Sequence, residues 1–126
     1  MQLTEENRRD ILNLILQQVA GIADKEYQKR VWIGGQGPEV DDFDETTNTF
    51  IHETEEVLEN YKLYNITEPQ YRLLLKFRNE FDAFAENNYW PPEFIDNSEW
   101  ARIMNMAKEV LVAFAYHKPQ ENMGKK

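Results

Sequence analysis

Ile66-Thr67-Glu68-Pro69-Gln70-Tyr71 reads as the start of a helix. Thr67 and Gln70 stand at capping-box spacing, where each side chain satisfies the other's free backbone N–H, and Ile66 with Tyr71 makes the accompanying hydrophobic staple. Pro69 falls in the first turn, where a missing N–H costs nothing. Beyond it Tyr71, Leu74, Phe77, Phe81 and Phe84 recur at helical spacing and form one buried stripe that ends near Asn87-Asn88.

The same device recurs downstream. Asp96 and Glu99 are spaced as a capping box, with Ile95 and Trp100 as its staple. Trp100, Ile103, Met104, Ala107, Val110, Leu111 and Phe114 supply the stripe, and Pro119 closes the element.

Upstream, Thr4 is a natural N-cap for a helix over residues 5–24. Its apolar positions Ile11, Leu12, Leu14, Ile15, Leu16, Val19, Ile22 and Ala23 cover more than half the circumference, which places it centrally or leaves a surface for oligomerisation. A fourth helix is predicted over 44–61. Phe43, Phe50, Ile51, Thr54, Val57, Leu58 and Tyr61 share one side, and Glu45, His52, Glu53, Glu55, Glu56 and Glu59 the other. Residues 26–40 are irregular. Arg30-Val31-Trp32-Ile33 fits either a helix end or a short extended piece, and Gly34-Gly35-Gln36-Gly37-Pro38 is a loop. The expectation is an all-α protein, a compact bundle of about four helices over residues 1–118 with a flexible tail over 119–126.

Composition suits that fold. The chain has 126 residues, 41% of them hydrophobic and 13% aromatic, enough for one packed core. It contains no cysteine, which removes disulfides, thiolate metal sites and thiol nucleophiles and fits a reducing compartment. The first residues are polar and charged, and the longest apolar run, 110–116, is far short of the ~20 residues a membrane span needs. The expected location is cytoplasmic.

The charge is unevenly placed. Residues 1–30 hold five acids and five bases, and residues 62–126 hold nine of each. Residues 31–61 hold nine acids and no lysine or arginine, so the net charge of −9 belongs to that stretch alone. The acids are Glu39, Asp41, Asp42, Asp44, Glu45, Glu53, Glu55, Glu56 and Glu59. Such a field disfavours nucleic acid and anionic membranes as partners and favours a basic protein or a cation.

Catalytic chemistry finds little support. The only serine, Ser98, sits where a helix cap is expected, and only His52 and His117 offer imidazole bases. No catalytic residue is assigned, no cofactor is expected, and the chain reads as a non-enzyme. His52-Glu53-Thr54-Glu55-Glu56 resembles a zinc motif whose second histidine is replaced by Glu56; His52 and Glu56 share a helix face without an apparent third ligand. A metal-binding protein or metal-dependent enzyme built on them is the alternative reading. An EF-hand fails because Thr47 stands where glycine is needed. The glycine loop is followed by acids, so phosphate cradling would set anion beside anion. Tyr89-Trp90-Pro91-Pro92 is read as a bridge between helix ends that buries its tryptophan, in preference to an exposed contact surface.

Part of the acidic block has a local cause, because Asp42, Asp44 and Glu45 lie where caps and the helix dipole favour negative charge. The rest opposes its own helix. Glu55 repels Glu59 at i, i+4, and Glu56 repels both Glu53 and Glu59 at i, i+3.

The block Arg30-Val31-Trp32-Ile33-Gly34-Gly35-Gln36-Gly37-Pro38-Glu39, continued by Phe43-Asp44-Glu45, resembles a group of small acidic bacterial helical proteins. These are similar to immunity proteins of contact-dependent or polymorphic toxin systems. The resemblance implies a protein that binds and neutralises a cognate toxin domain, often a basic nuclease, with no activity of its own. The expected partner-binding residues are Glu39, Asp41, Asp42, Asp44, Glu45, Glu53, Glu55, Glu56 and Glu59, with Trp32 as an aromatic anchor among them. A structural subunit of an oligomer is the remaining alternative.

Overall fold

The Thr67–Gln70 capping box forms as written: the Thr67 N–H donates to Gln70 Oε1 at 2.8 Å, and the Gln70 N–H to Thr67 Oγ1 at 3.3 Å. The same glutamine reaches across the fold, its Nε2 donating to the Ala113 carbonyl at 2.9 Å. One cap thus starts a helix and fixes it to the end of another. The computed structural model in which these contacts occur describes residues 4–35 and 42–116.

Among the described residues there is no strand. Four long helices carry the fold: α1 (Glu5–Ile22), α3 (Phe43–Glu59), α4 (Glu68–Asn87) and α6 (Ser98–Ala113). Two short ones, α2 (Lys25–Tyr27) and α5 (Pro91–Phe94), a π-helical turn (Gln28–Ile33) and a 3-10 turn (Tyr61–Tyr64) connect them. The all-α class holds; the number of α-helical segments among the described residues is six, rather than about four. The long helices carried the periodicity. Single turns of three or four residues are too short to show any.

Helix boundaries follow the caps. Thr4 Oγ1 accepts from the Asn7 N–H at 3.0 Å, and Asp42 Oδ1 accepts from the Glu45 N–H at 2.8 Å. Helix α3 therefore starts one residue earlier than expected and stops at Glu59, where Asn60 leaves helical backbone and the chain tightens into the 3-10 turn. Asn65 closes that turn in the left-handed region (φ 58°), which asparagine tolerates. At α6 the expected box is corrected. Asn97 is the N-cap, its Oδ1 accepting from the Glu99 and Trp100 N–H groups at 2.6 and 3.4 Å. The α5 turn runs on until the Asn97 N–H bonds the Phe94 carbonyl at 2.9 Å, which delays the next helix by one residue. Asp96 pairs instead with Lys25 at 2.7 Å.

The Arg30–Ile33 piece is neither extended nor an α-helix end; it forms the last four of the six residues of the π-turn. Its widened ladder is visible where the Gly34 N–H donates to the Lys29 carbonyl at 2.9 Å. A Cβ on Gly34 would stand 3.0 Å from the Arg30 carbonyl oxygen and 3.1 Å from that of Lys29, so this close approach suits glycine. The wide turn brings Gln28, Val31 and Trp32 all inward.

Inside lies one aromatic cluster. The Trp100 ring has the rings of Phe94 at 4.9 Å, Phe84 at 5.2 Å, Phe43 at 6.0 Å and Trp32 at 6.3 Å between centroids. Ile15, Leu16, Val19 and Ile22 of α1, Val57 of α3, and Ile103, Ala107 and Val110 of α6 continue this core. Of the apolar residues on α1, only Leu14 stays exposed among the described residues, so α1 is covered by its own fold. No helix among them is long and apolar enough to cross a membrane. The domain boundary at 118 and the tail over 119–126 lie outside the described residues.

Candidate acidic face on helix α3

Helix α3 divides as its sequence demands. Phe43, Thr46, Phe50, Thr54, Val57 and Leu58 are buried, and Thr54 is satisfied by donating to the Phe50 carbonyl at 2.6 Å. Asp44, Glu45, His52, Glu55, Glu56 and Glu59 are exposed, and Glu53 is half-buried.

The acids fall into two groups along the helix. At the front, Asp42 caps and Asp44 and Glu45 occupy the first turn, where they stabilise the helix dipole. Toward the back, His52, Glu55, Glu56, Glu59 and Asn60 line a single open concavity of about 400 Å³. The last turn contains no base. Glu39 and Asp41 lie outside the described residues, as does His117.

Four acids elsewhere among the described residues are paired with bases. Arg72 pairs with Glu68 at 2.7 Å, Arg102 with Glu80 at 2.9 Å and Glu99 at 3.5 Å, and Lys25 with Asp96. Among the described residues no ion pair involves Glu53, Glu55, Glu56 or Glu59. One base does reach the inner margin. The hydroxyl of Tyr64 is held above the ordinary tyrosine range by burial and then by Glu56, with a smaller push from Glu53, while Arg8 of α1 pulls it down. Glu53 and Glu56 thus lie near enough to the Tyr64 hydroxyl to act on it, while Glu55, Glu56 and Glu59 are all exposed.

As a metal centre the row is poorly built. His52 and Glu56 lie on one face as their spacing implied, yet no group of three or more histidine, aspartate or glutamate side chains capable of holding a metal occurs among the described residues.

Trp32 is corrected. It is 9% exposed, with its ring 5.4 Å from Phe43 in edge-to-face contact, so it holds the core and offers no surface anchor. Its π-turn setting, hidden from periodicity, turns it inward. Tyr89 and Trp90 reverse the other way, standing 71% and 58% exposed. Pro91 and Phe94 take the buried places expected of the tryptophan. The available signal was Pro91, since a residue before proline is forced into extended backbone and cannot fold back with the helix.

No protein-family model, no curated protein and no solved structure matches this chain.

Proposed function

We propose that the chain is a non-enzymatic protein-binding module of the inhibitor or immunity type, acting in the cytoplasm on a basic partner such as a toxin nuclease domain. The observation that carries this reading is the row Glu55, Glu56 and Glu59, three like charges at i, i+3 and i, i+4 spacing that make no ion pair among the described residues and share one concavity with His52. Like charges spaced i, i+3 and i, i+4 cost a helix about 0.2–0.5 kcal/mol per pair. A basic partner recovers that cost on docking, and the field speeds its approach. The mechanism is occlusion: the row covers the cationic surface by which the partner binds its own substrate. Asp42, Asp44 and Glu45 add to the field while serving the helix start.

The test is capture from native lysate on immobilised wild-type protein and on the E55K/E56K/E59K variant, followed by association kinetics with the captured protein. A basic protein is expected, with an on-rate roughly 10-fold or more slower for the variant at low salt and an unchanged helical circular-dichroism spectrum. An acidic captured protein refutes the reading, and an unchanged on-rate refutes this face.

A further inference from the structure

The exposed pair Tyr89 and Trp90 lies between α4 and α5, well away in sequence from α3. Tryptophan is among the most buried residues on average, and the other two, Trp32 and Trp100, are buried here. The segment is held at both ends. On the α4 side the Asn88 side-chain amide donates to the Phe84 carbonyl at 2.9 Å. On the α5 side the Trp90 carbonyl accepts from the Glu93 N–H at 2.9 Å, above the buried Pro91 and Phe94. Trp90 itself has φ −118° and ψ 97°, the extended backbone that a following proline imposes. Its ring is therefore presented from a fixed backbone, which lowers the entropy lost on binding.

Beside it is a concavity of about 340 Å³ lined by Asn87, Asn88, Tyr89, Trp90, Glu93 and Phe94. The lining combines aromatic faces, whose quadrupoles attract cations, with one carboxylate and two primary amides whose oxygens accept N–H groups. The carboxylate and the ring faces favour a positively charged N–H donor, and the amide oxygens can accept from it. We infer that this concavity seats a basic side chain, arginine above lysine, of a protein partner. An apolar occupant would dehydrate the Glu93 carboxylate without pairing it. A second copy of the chain would bring −9 against −9. Arginine adds a planar guanidinium that stacks on indole while donating to the carboxylate. This inference rests on the reading of a basic protein partner and gives that partner a second, aromatic point of attachment.

The probe is a blocked tri-arginine peptide, followed on the three tryptophan indole N–H resonances by NMR, with tri-citrulline and tri-proline peptides as comparisons. Trp90 is assigned from Trp90→Phe, whose exposed position spares the fold. Tri-arginine is expected to shift the Trp90 resonance saturably, and tri-citrulline to leave it in place. Glu93→Gln weakens binding roughly two- to five-fold, and the E55K/E56K/E59K variant retains the Trp90 shift. An unmoved Trp90 resonance overturns the inference, as does an equal response to citrulline. A response to tri-proline at least as large as that to tri-arginine assigns the groove to extended proline-rich backbone and overturns it too. Because the readout is local, these outcomes are independent of whether the α3 row governs capture of the partner.

Discussion

Gln28 is fully buried, and each of its polar atoms is engaged. Its Nε2 donates to the carbonyls of Gly21 and Ile22 at 3.0 and 2.8 Å, and its Oε1 accepts from the Trp100 indole at 3.0 Å. One side chain therefore closes the C-terminus of α1, holds the π-turn against it and orients the ring at the centre of the aromatic cluster. Glutamine is mostly a surface residue, and Gln28 falls in a stretch without helical periodicity, so nothing in the sequence marks this role. Gln28→Leu keeps the bulk and removes all three bonds. It leaves the indole N–H buried without its acceptor, an omission that costs about 1–3 kcal/mol per group. Urea unfolding should show a loss of roughly 2–4 kcal/mol. With Trp100→Phe already in place the further loss from Gln28→Leu should be smaller, because the orphaned donor is gone. Equal losses in both backgrounds would mean that the glutamine acts only through the α1 carbonyls.

At the scale of the element, α3 and α4 show what a sequence reveals and what it conceals. Both were legible because long apolar stripes and caps act within one helix, and the Thr67–Gln70 box forms as its spacing requires. The π-turn was not legible, since its wide ladder depends on Gly34 meeting the Lys29 carbonyl and on a core that accepts Trp32. On α3 the division into inner and outer faces was legible, and so was the internal conflict among its acids. Whether bases from other helices covered that face was a tertiary matter, and Arg8 of α1 acts on the Tyr64 hydroxyl beside Glu56. Glu59 gives the sharpest test. It lies at the negative end of the helix dipole, one turn after Glu55 and three residues after Glu56. Glu59→Lys replaces two repulsions with two attractions and places a cation at the C-terminus, each change worth a few tenths of a kcal/mol or more. Stability should rise by about 0.5–1.5 kcal/mol in urea unfolding, while association with the basic partner slows. A variant no more stable than the wild type would mean that the fold already compensates this position.

Across the whole molecule, a formal charge of −9 in a chain of 126 residues is concentrated in residues 31–61 and balanced elsewhere. Folding gathers the acids of α3 onto one surface, where they repel more strongly than in the extended chain. Salt then acts on stability and binding in opposite directions. The Debye length shortens from about 30 Å at 0.01 M to about 10 Å at 0.1 M ionic strength, so the repulsion within the row weakens and the melting temperature should rise over that range. The same screening removes the long-range attraction for a basic partner, so the association rate should fall. Reversing Glu55, Glu56 and Glu59 to lysine moves the formal charge by six, from −9 to −3. If the row is the common origin, this variant should flatten both dependences together. Thermal melts and stopped-flow association, run on wild type and variant across the same sodium chloride series, separate the possibilities. A flattened association curve beside an unchanged melting curve would show that the acids steer the partner without straining the fold. A flattened melting curve alone would place the partner's contact elsewhere on the molecule, with the Trp90 concavity the next surface to test.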